Sequence, residues 1–142
     1  MTTSYRIALG TFAAIAIAAT ASPAPVSAQA LRSIYVRNDC YRPIELFVRH
    51  ADEYRSWHQH GWFRLRPYRG TYLSANGARV RQLENHRLYF YAQTTDGGRT
   101  NYWQGGRNDS LISFRGAAYR IRRALYSINA RGDYQFRITC RN

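Results

Sequence analysis

Beyond residue 30, apolar residues in this chain recur at every second position over short runs, and no sustained 3.6-residue period appears. Side chains of an extended strand point alternately to its two faces, so the pattern selects half-buried β-strands over helices. Ile34 and Val36 alternate with Tyr35 and Arg37; Ile44, Leu46 and Val48 alternate with Glu45, Phe47 and Arg49. Further runs cover residues 62–66, 71–75 and 111–115, and Leu88, Phe90 and Ala92 face away from Tyr89, Tyr91 and Gln93. Breaks fall at Asn38-Asp39, Pro43, Pro67 and Asn76-Gly77, residue types that favour turns. About seven to nine short strands without crossover helices predict an all-β fold, either a small antiparallel β-sandwich or a barrel-like domain.

Asp96-Gly97 is the sharpest turn signal. A two-residue type I′ turn needs positive φ at both central residues, which this pair supplies, so strand 87–95 is expected to turn back tightly into 98–104. Segment 79–83 reads as a helical turn or an edge strand, and 118–124 as strand or irregular chain. In the last run Tyr134, Phe136, Ile138 and Cys140 share one face. Continuing the parity of Ile34 and Val36 reaches Cys40, so both sulfurs point inward if the first and last strands lie side by side.

The chain opens with a short segment carrying one positive charge at Arg6, followed by an uncharged, mostly apolar stretch over 7–19 and small residues at Ala28 and Ala30. That order is a secretory signal with cleavage after Ala30. The apolar core is shorter than the roughly 20 residues of a membrane span and runs into Pro23 and Pro25. The expectation is a signal peptide over 1–30, a single β domain over 31–142, no transmembrane segment after cleavage, and a periplasmic or secreted location. In an oxidising compartment two cysteines form one disulfide, Cys40–Cys140. Chain entropy assigns a closure of that length about 4.7 kcal/mol at most. Against a total stability of roughly 5–15 kcal/mol, that is a large share.

All 21 basic residues are arginines, against 8 acids, giving a formal charge of +13. Such a field attracts anions, and guanidinium grips carboxylate or phosphate with two parallel hydrogen bonds. Aromatic residues interleave with the arginines as they do in nucleic-acid binders, but an exported protein meets little nucleic acid. Anionic lipid, lipopolysaccharide or acidic glycan fits better. Arg64, Arg66, Arg69 and Arg99, with an outward row of Tyr89 and Tyr91, are the candidate anionic-ligand surface. A merely solvated basic face is the competing reading.

Catalytic and metal signals are weak. His58 and His60 share a face on extended chain, near His50, Asp52 and Glu53, and could ligate zinc or copper, but no third ligand sits at a diagnostic spacing. The segment reads as a solvated loop and His86 as a surface residue, so neither metal nor cofactor is expected. No serine lies in a G-x-S-x-G elbow. Glu84, Asp96 and Asp109 would need to face one another across a groove to serve a glycan hydrolase, and no catalytic residue is assigned.

The assembled residues resemble an exported bacterial family, that of domain of unknown function 1036. Asn38, Cys40, Pro43 and the strand 44–48 match its opening. Gly61-Trp62-Phe63-Arg64-Leu65-Arg66-Pro67 is similar to its Gly-Trp-Trp segment, with Phe63 in place of the second Trp. Residues 88–97 resemble its Tyr-rich strand and Asp-Gly turn, with Gln93 where a Glu is common. Trp103-Gln104-Gly105 and Thr139-Cys140 complete the pattern. The resemblance, covering nearly all of 34–140, implies a small exported domain and supports the Cys40–Cys140 pairing; it transfers no reaction, cofactor or catalytic residue.

The sequence therefore points to a non-catalytic exported β-domain, monomeric or weakly associating, that binds anionic ligands or surfaces. A small hydrolase of envelope glycans and a structural or stress-related periplasmic protein are the alternatives.

Overall fold

The computed structural model describes residues 29–140; the expected signal segment, apart from Gln29 and Ala30, lies outside the described residues. In chain order the strands are β1 (Leu31–Asn38), β2 (Ile44–Ala51), β3 (Trp57–Leu65), β4 (Gly70–Tyr72) and β5 (Ser74–Ala75). They continue with β6 (Ala78–Arg79), β7 (Arg81–Leu83), β8 (Tyr89–Thr94), β9 (Tyr102–Trp103) and β10 (Leu111–Phe114). The last four are β11 (Ala117–Arg120), β12 (Arg122–Arg123), β13 (Ser127–Ile128) and β14 (Tyr134–Ile138). The two segments of open assignment, 79–83 and 118–124, are thus largely extended.

One sheet has the order β13-β14-β1-β4, with β7 also paired to β1. The other has the order β12-β8-β2-β3, with β9 also paired to β8. Since β2 occupies one edge of β8 along its whole length, β9 and β12 share the other. The sheets stay separate rather than closing into a barrel, so the architecture is sandwich-like. Between them Ile34, Val36, Leu46, Val48, Phe90, Phe136 and Ile138 form the main core, the inward set that period-two parity selected.

The first and last strands do lie side by side, but in parallel, against the expected purely antiparallel order. Ile34 pairs with Tyr134 and Asn38 with Ile138. Carried two residues further, that register sets Cys40 beside Cys140, and the disulfide joins them with their Cα atoms 4.9 Å apart. The bridge extends the ladder at its open end. Buried Asn38 shapes the same corner: its Nδ2 donates to the Arg42 carbonyl at 2.9 Å and the Arg66 carbonyl at 3.1 Å, and its Oδ1 accepts from the Cys40 amide at 2.9 Å.

A third layer covers the back of the β2–β8 sheet. The β10–β11 hairpin lays Ile112, Phe114 and Tyr119 over Phe47, Tyr91 and Trp62. The Phe47 ring is 4.4 Å from Phe114, 5.1 Å from Trp62 and 5.3 Å from Tyr119, centroid to centroid. Trp62 reaches this layer through an irregularity in β3, where Leu46 pairs with Phe63 but Phe47 pairs with Gly61. A Cβ on Gly61 would fall 2.5 Å from Phe47 Cβ, and its φ of +154° suits glycine.

The tight turn at Asp96-Gly97 is not formed. Ala92 pairs with Trp103 and Gln93 with Tyr102, so residues 95–101 make a longer loop. The cause is distant in sequence. Arg42 Nε holds Asp96 Oδ2 at 2.6 Å and Arg42 Nη1 donates to the Arg99 carbonyl at 2.8 Å. These bonds replace the compact turn with a loop tied to the 40–43 corner.

Candidate functional site

The sandwich is open on the side where β9 and β12 face β14, and a cleft of about 610 Å³ lies there. Its floor is aromatic: Phe90 and Phe136, with ring centroids 5.0 Å apart, come from the two opposed sheets. Arg122 and Arg123 on β12, Arg137 on β14 and Arg99 on the 95–101 loop surround that floor. Among the described residues no carboxylate lines the cleft. Tyr102 and Trp103 complete one wall, and the Trp103 indole N–H donates to the Thr139 carbonyl at 3.0 Å, tying the sheets together across it.

Among the described residues Arg99, Arg122 and Arg123 form no ion pair. Arg122 lies over the Phe90 ring at 5.7 Å, where the negative face of the ring attracts its guanidinium. Arg137 is held by its Nε, 2.5 Å from Asp39 Oδ2, and Arg37 binds the other oxygen at 2.6 Å. Burial pushes the Asp39 carboxyl up, but hydrogen bonds from Arg137 and Arg37 outweigh it and hold the group below its ordinary range. A carboxylate or phosphate entering the cleft would meet guanidinium groups with donors to spare.

The surface expected from sequence is not assembled as one site. Arg64 lies on β3 and Arg66 and Arg69 flank the Pro67 turn, across the sheet from Arg99 on the β9 side. Tyr91 is a correction. Its parity away from the main core is as expected, but the β10–β11 layer buries it to 5% exposure, so it cannot present a ligand platform. Tyr89 is half-buried beside Trp57. Only Arg99 of the expected set lines the cleft. Arg122, Arg123 and Arg137 escaped sequence reading because they sit on three-dimensional edges; the Arg122-Arg123 pair at the end of an alternating run was the available signal.

The acids of the hydrolase alternative are dispersed. Glu84 pairs with Arg32 at 2.7 Å, Asp96 with Arg42, and Asp109 accepts from the Gly106 amide at 2.6 Å. None lines the arginine cleft.

A second, smaller cleft of about 270 Å³ opens at one end of the sandwich, lined by His50, His60, Asp52, Glu53, Arg79 and Arg81 among others. The expected solvated loop is here a correction too: His58 and His60 lie on β3, with His58 directly opposite His50 on β2. Strand pairing over 44–51 extends β3 back to Trp57, and Arg49 covers that indole at 5.0 Å. His58 Nε2 is 2.7 Å from Asp52 Oδ2. Burial, with His60 adding its charge, pushes the His50 imidazole down to about 4. The Arg81 and Ala51 backbones pull the other way, although among the described residues neither ring nitrogen meets a partner at full hydrogen-bond geometry.

No family model, curated protein or solved structure matches the chain. Among the described residues no helix is long and apolar enough to cross a membrane.

Proposed function

We propose that the protein is an exported, non-catalytic binding module that holds an acidic ligand of the cell envelope in the arginine-lined cleft. One observation carries the reading: four arginines and, among the described residues, no carboxylate line a concave site with an aromatic floor. Asp39 already pairs Arg137, while Arg99, Arg122 and Arg123 form no ion pair among the described residues, and an anion in the cleft would take up charge-assisted hydrogen bonds from them. The volume suits a small-molecule site of about 300–1,000 Å³, hence a phosphorylated or carboxylated head rather than a long polymer lying flat. Tyr102 and Trp103 give such a head an aromatic wall to rest on. The signal-like N-terminus and the resemblance to the family of domain of unknown function 1036 favour the exported setting.

Anionic lipid headgroups, lipopolysaccharide phosphates and acidic glycans share this chemistry, so the experiment separates them. The purified protein is titrated with phosphatidylglycerol vesicles, lipopolysaccharide and oligogalacturonate at low salt and at about 0.15 M salt, where surface charges are screened beyond roughly 8 Å. Saturable binding to one probe that survives the higher salt supports the reading. Binding to all three in proportion to their charge, lost together as salt rises, refutes it.

A further inference from the structure

We infer that His50, His58 and His60 form an acid-sensitive latch, which holds the tip of the β2–β3 hairpin, residues 50–60, against β7 and releases it when the histidines take up protons. The inference is independent of the arginine cleft. Strand register places the three rings on one face of the hairpin: His50 lies opposite His58, and His60 opposite Val48. Val48 belongs to the main core, so this face looks into the sandwich. The ring centroids are 5.2 Å apart for His50–His60, 5.8 Å for His50–His58 and 6.4 Å for His58–His60. Neutral imidazoles pack at such distances, whereas like charges on neighbouring strands repel. His50 is 6% exposed, so a proton on it would also be held away from water.

The fixed charges around the cluster do not absorb added protons. Arg79 on β6 and Arg81 on β7 share the smaller cleft with His50 and His60, and Asp52 and Glu53 answer them from the loop after β2; the rest of the lining is apolar. Two acids therefore balance two arginines while the histidines are neutral. Asp52 is already engaged: its Oδ2 lies 2.7 Å from His58 Nε2, and its Oδ1 accepts from the Tyr54 and Ser56 amides at 2.9 and 2.8 Å. Glu53 is exposed. Burial, with the charge of His60, pushes the His50 imidazole down to about 4, against the Arg81 and Ala51 backbones. Burial also lowers His60, with His58 adding to the effect. Both rings are thus neutral at pH 7, and acid adds positive charge beside two arginines.

The hairpin tip is the part placed to yield. Among the described residues β3 is an edge strand paired with β2 alone. The pairing of β8 with β2 reaches Arg49 and stops before His50. Beyond that point the Ala51 amide ties β2 to the other sheet, donating to the buried Gln82 Oε1 at 3.0 Å. This bond is one residue from His50, so repulsion at the rings acts directly on it and on the end of β3.

The test compares hydrogen exchange of the whole protein, disulfide intact, at pH 7 and pH 4.5, corrected for the intrinsic rate of each amide, with the Ala51 amide followed by NMR. A histidine that titrates near its ordinary 6.5 when released and at about 4 when held predicts about fiftyfold more opening of residues 50–60 at the lower pH. Protection in β14 should change far less. His50→Phe keeps an aromatic ring of nearly the same size without a titrating nitrogen and should remove most of the response, while His86→Gln should leave it as in the wild type. The NMR titration of His50 in the wild type reads the same group where the phenylalanine variant fails to fold, and its midpoint should lie well below 6.5. Unchanged protection of the tip at pH 4.5, an equal loss in β14, a wild-type response in folded His50→Phe, or a His50 midpoint at or above 6.5 would each overturn the inference.

Discussion

Arg42, with its side chain 10% exposed, reaches from the corner after β1 to Asp96, which it holds through both Nε and Nη2. Its remaining terminal nitrogen donates to the Arg99 carbonyl. One side chain therefore fixes the loop that carries Arg99 to the rim of the cleft. Arg42→Leu is expected to leave the main core folded, speed amide exchange across 95–101, and weaken binding of acidic ligands. Hydrogen exchange read by mass spectrometry checks the first two effects together.

The same pair sets an acid limit. Arg42 holds the Asp96 carboxyl down to about 2, from an ordinary value near 3.8. A group whose folded value is depressed stabilises the fold above its unfolded value, and that contribution disappears as pH falls through the folded one. Stability should therefore drop between about pH 4 and 2, and Asp96→Asn should flatten that part of the profile. Denaturant midpoints measured across the window give the comparison; equal slopes in both proteins would contradict it.

Strand parity made the main core legible in sequence, and the count of two cysteines the pairing; adjacency of the first and last strands entered only as the condition under which both sulfurs face inward. Parity assigns a face, not what covers it. Tyr91 points away from Val48's side of the sheet as its position dictates, but the layer that buries it comes from residues 111–120. Asp96-Gly97 has the chemistry of a tight turn and loses it to Arg42, a competitor that no local rule sees. The direction of β14 against β1 is likewise set by the whole intervening chain. Arg122 and Arg137 lie on different sheets, and only the packed sandwich makes them neighbours. His50 joined His58 and His60 once the β2–β3 register was known.

Reduction should cost the protein about 2–5 kcal/mol, the usual penalty for losing a native disulfide. Because Cys40–Cys140 continues the β1–β14 register, the loosening should begin at Asn38 and Ile138. Urea unfolding with and without reductant, alongside a Cys40→Ala/Cys140→Ala variant, measures both the size and the place of the effect.

Phe47→Ala should cost about 3–5 kcal/mol, the range for a buried aromatic truncated in a packed core. It removes the centre of the ring cluster against which Phe114, Trp62 and Tyr119 pack. Amide protection in β10–β11 should fall further than in β1 and β14. Uniform loss of protection would mean that the third layer is not a separate packing unit.

The claim that the cleft, rather than overall charge, recognises the ligand is tested most directly by two charge-matched variants. Arg122→Gln/Arg123→Gln removes two positive charges from the cleft; Arg64→Gln/Arg66→Gln removes two from β3 and the turn after it. Affinities of both and of the wild type are measured for lipopolysaccharide and oligogalacturonate at one fixed salt concentration. Charge-assisted hydrogen bonds of about 1.5–3 kcal/mol each predict a loss of about tenfold or more in the cleft variant, with the other staying within about twofold of wild type. Equal losses in the two variants would contradict the account.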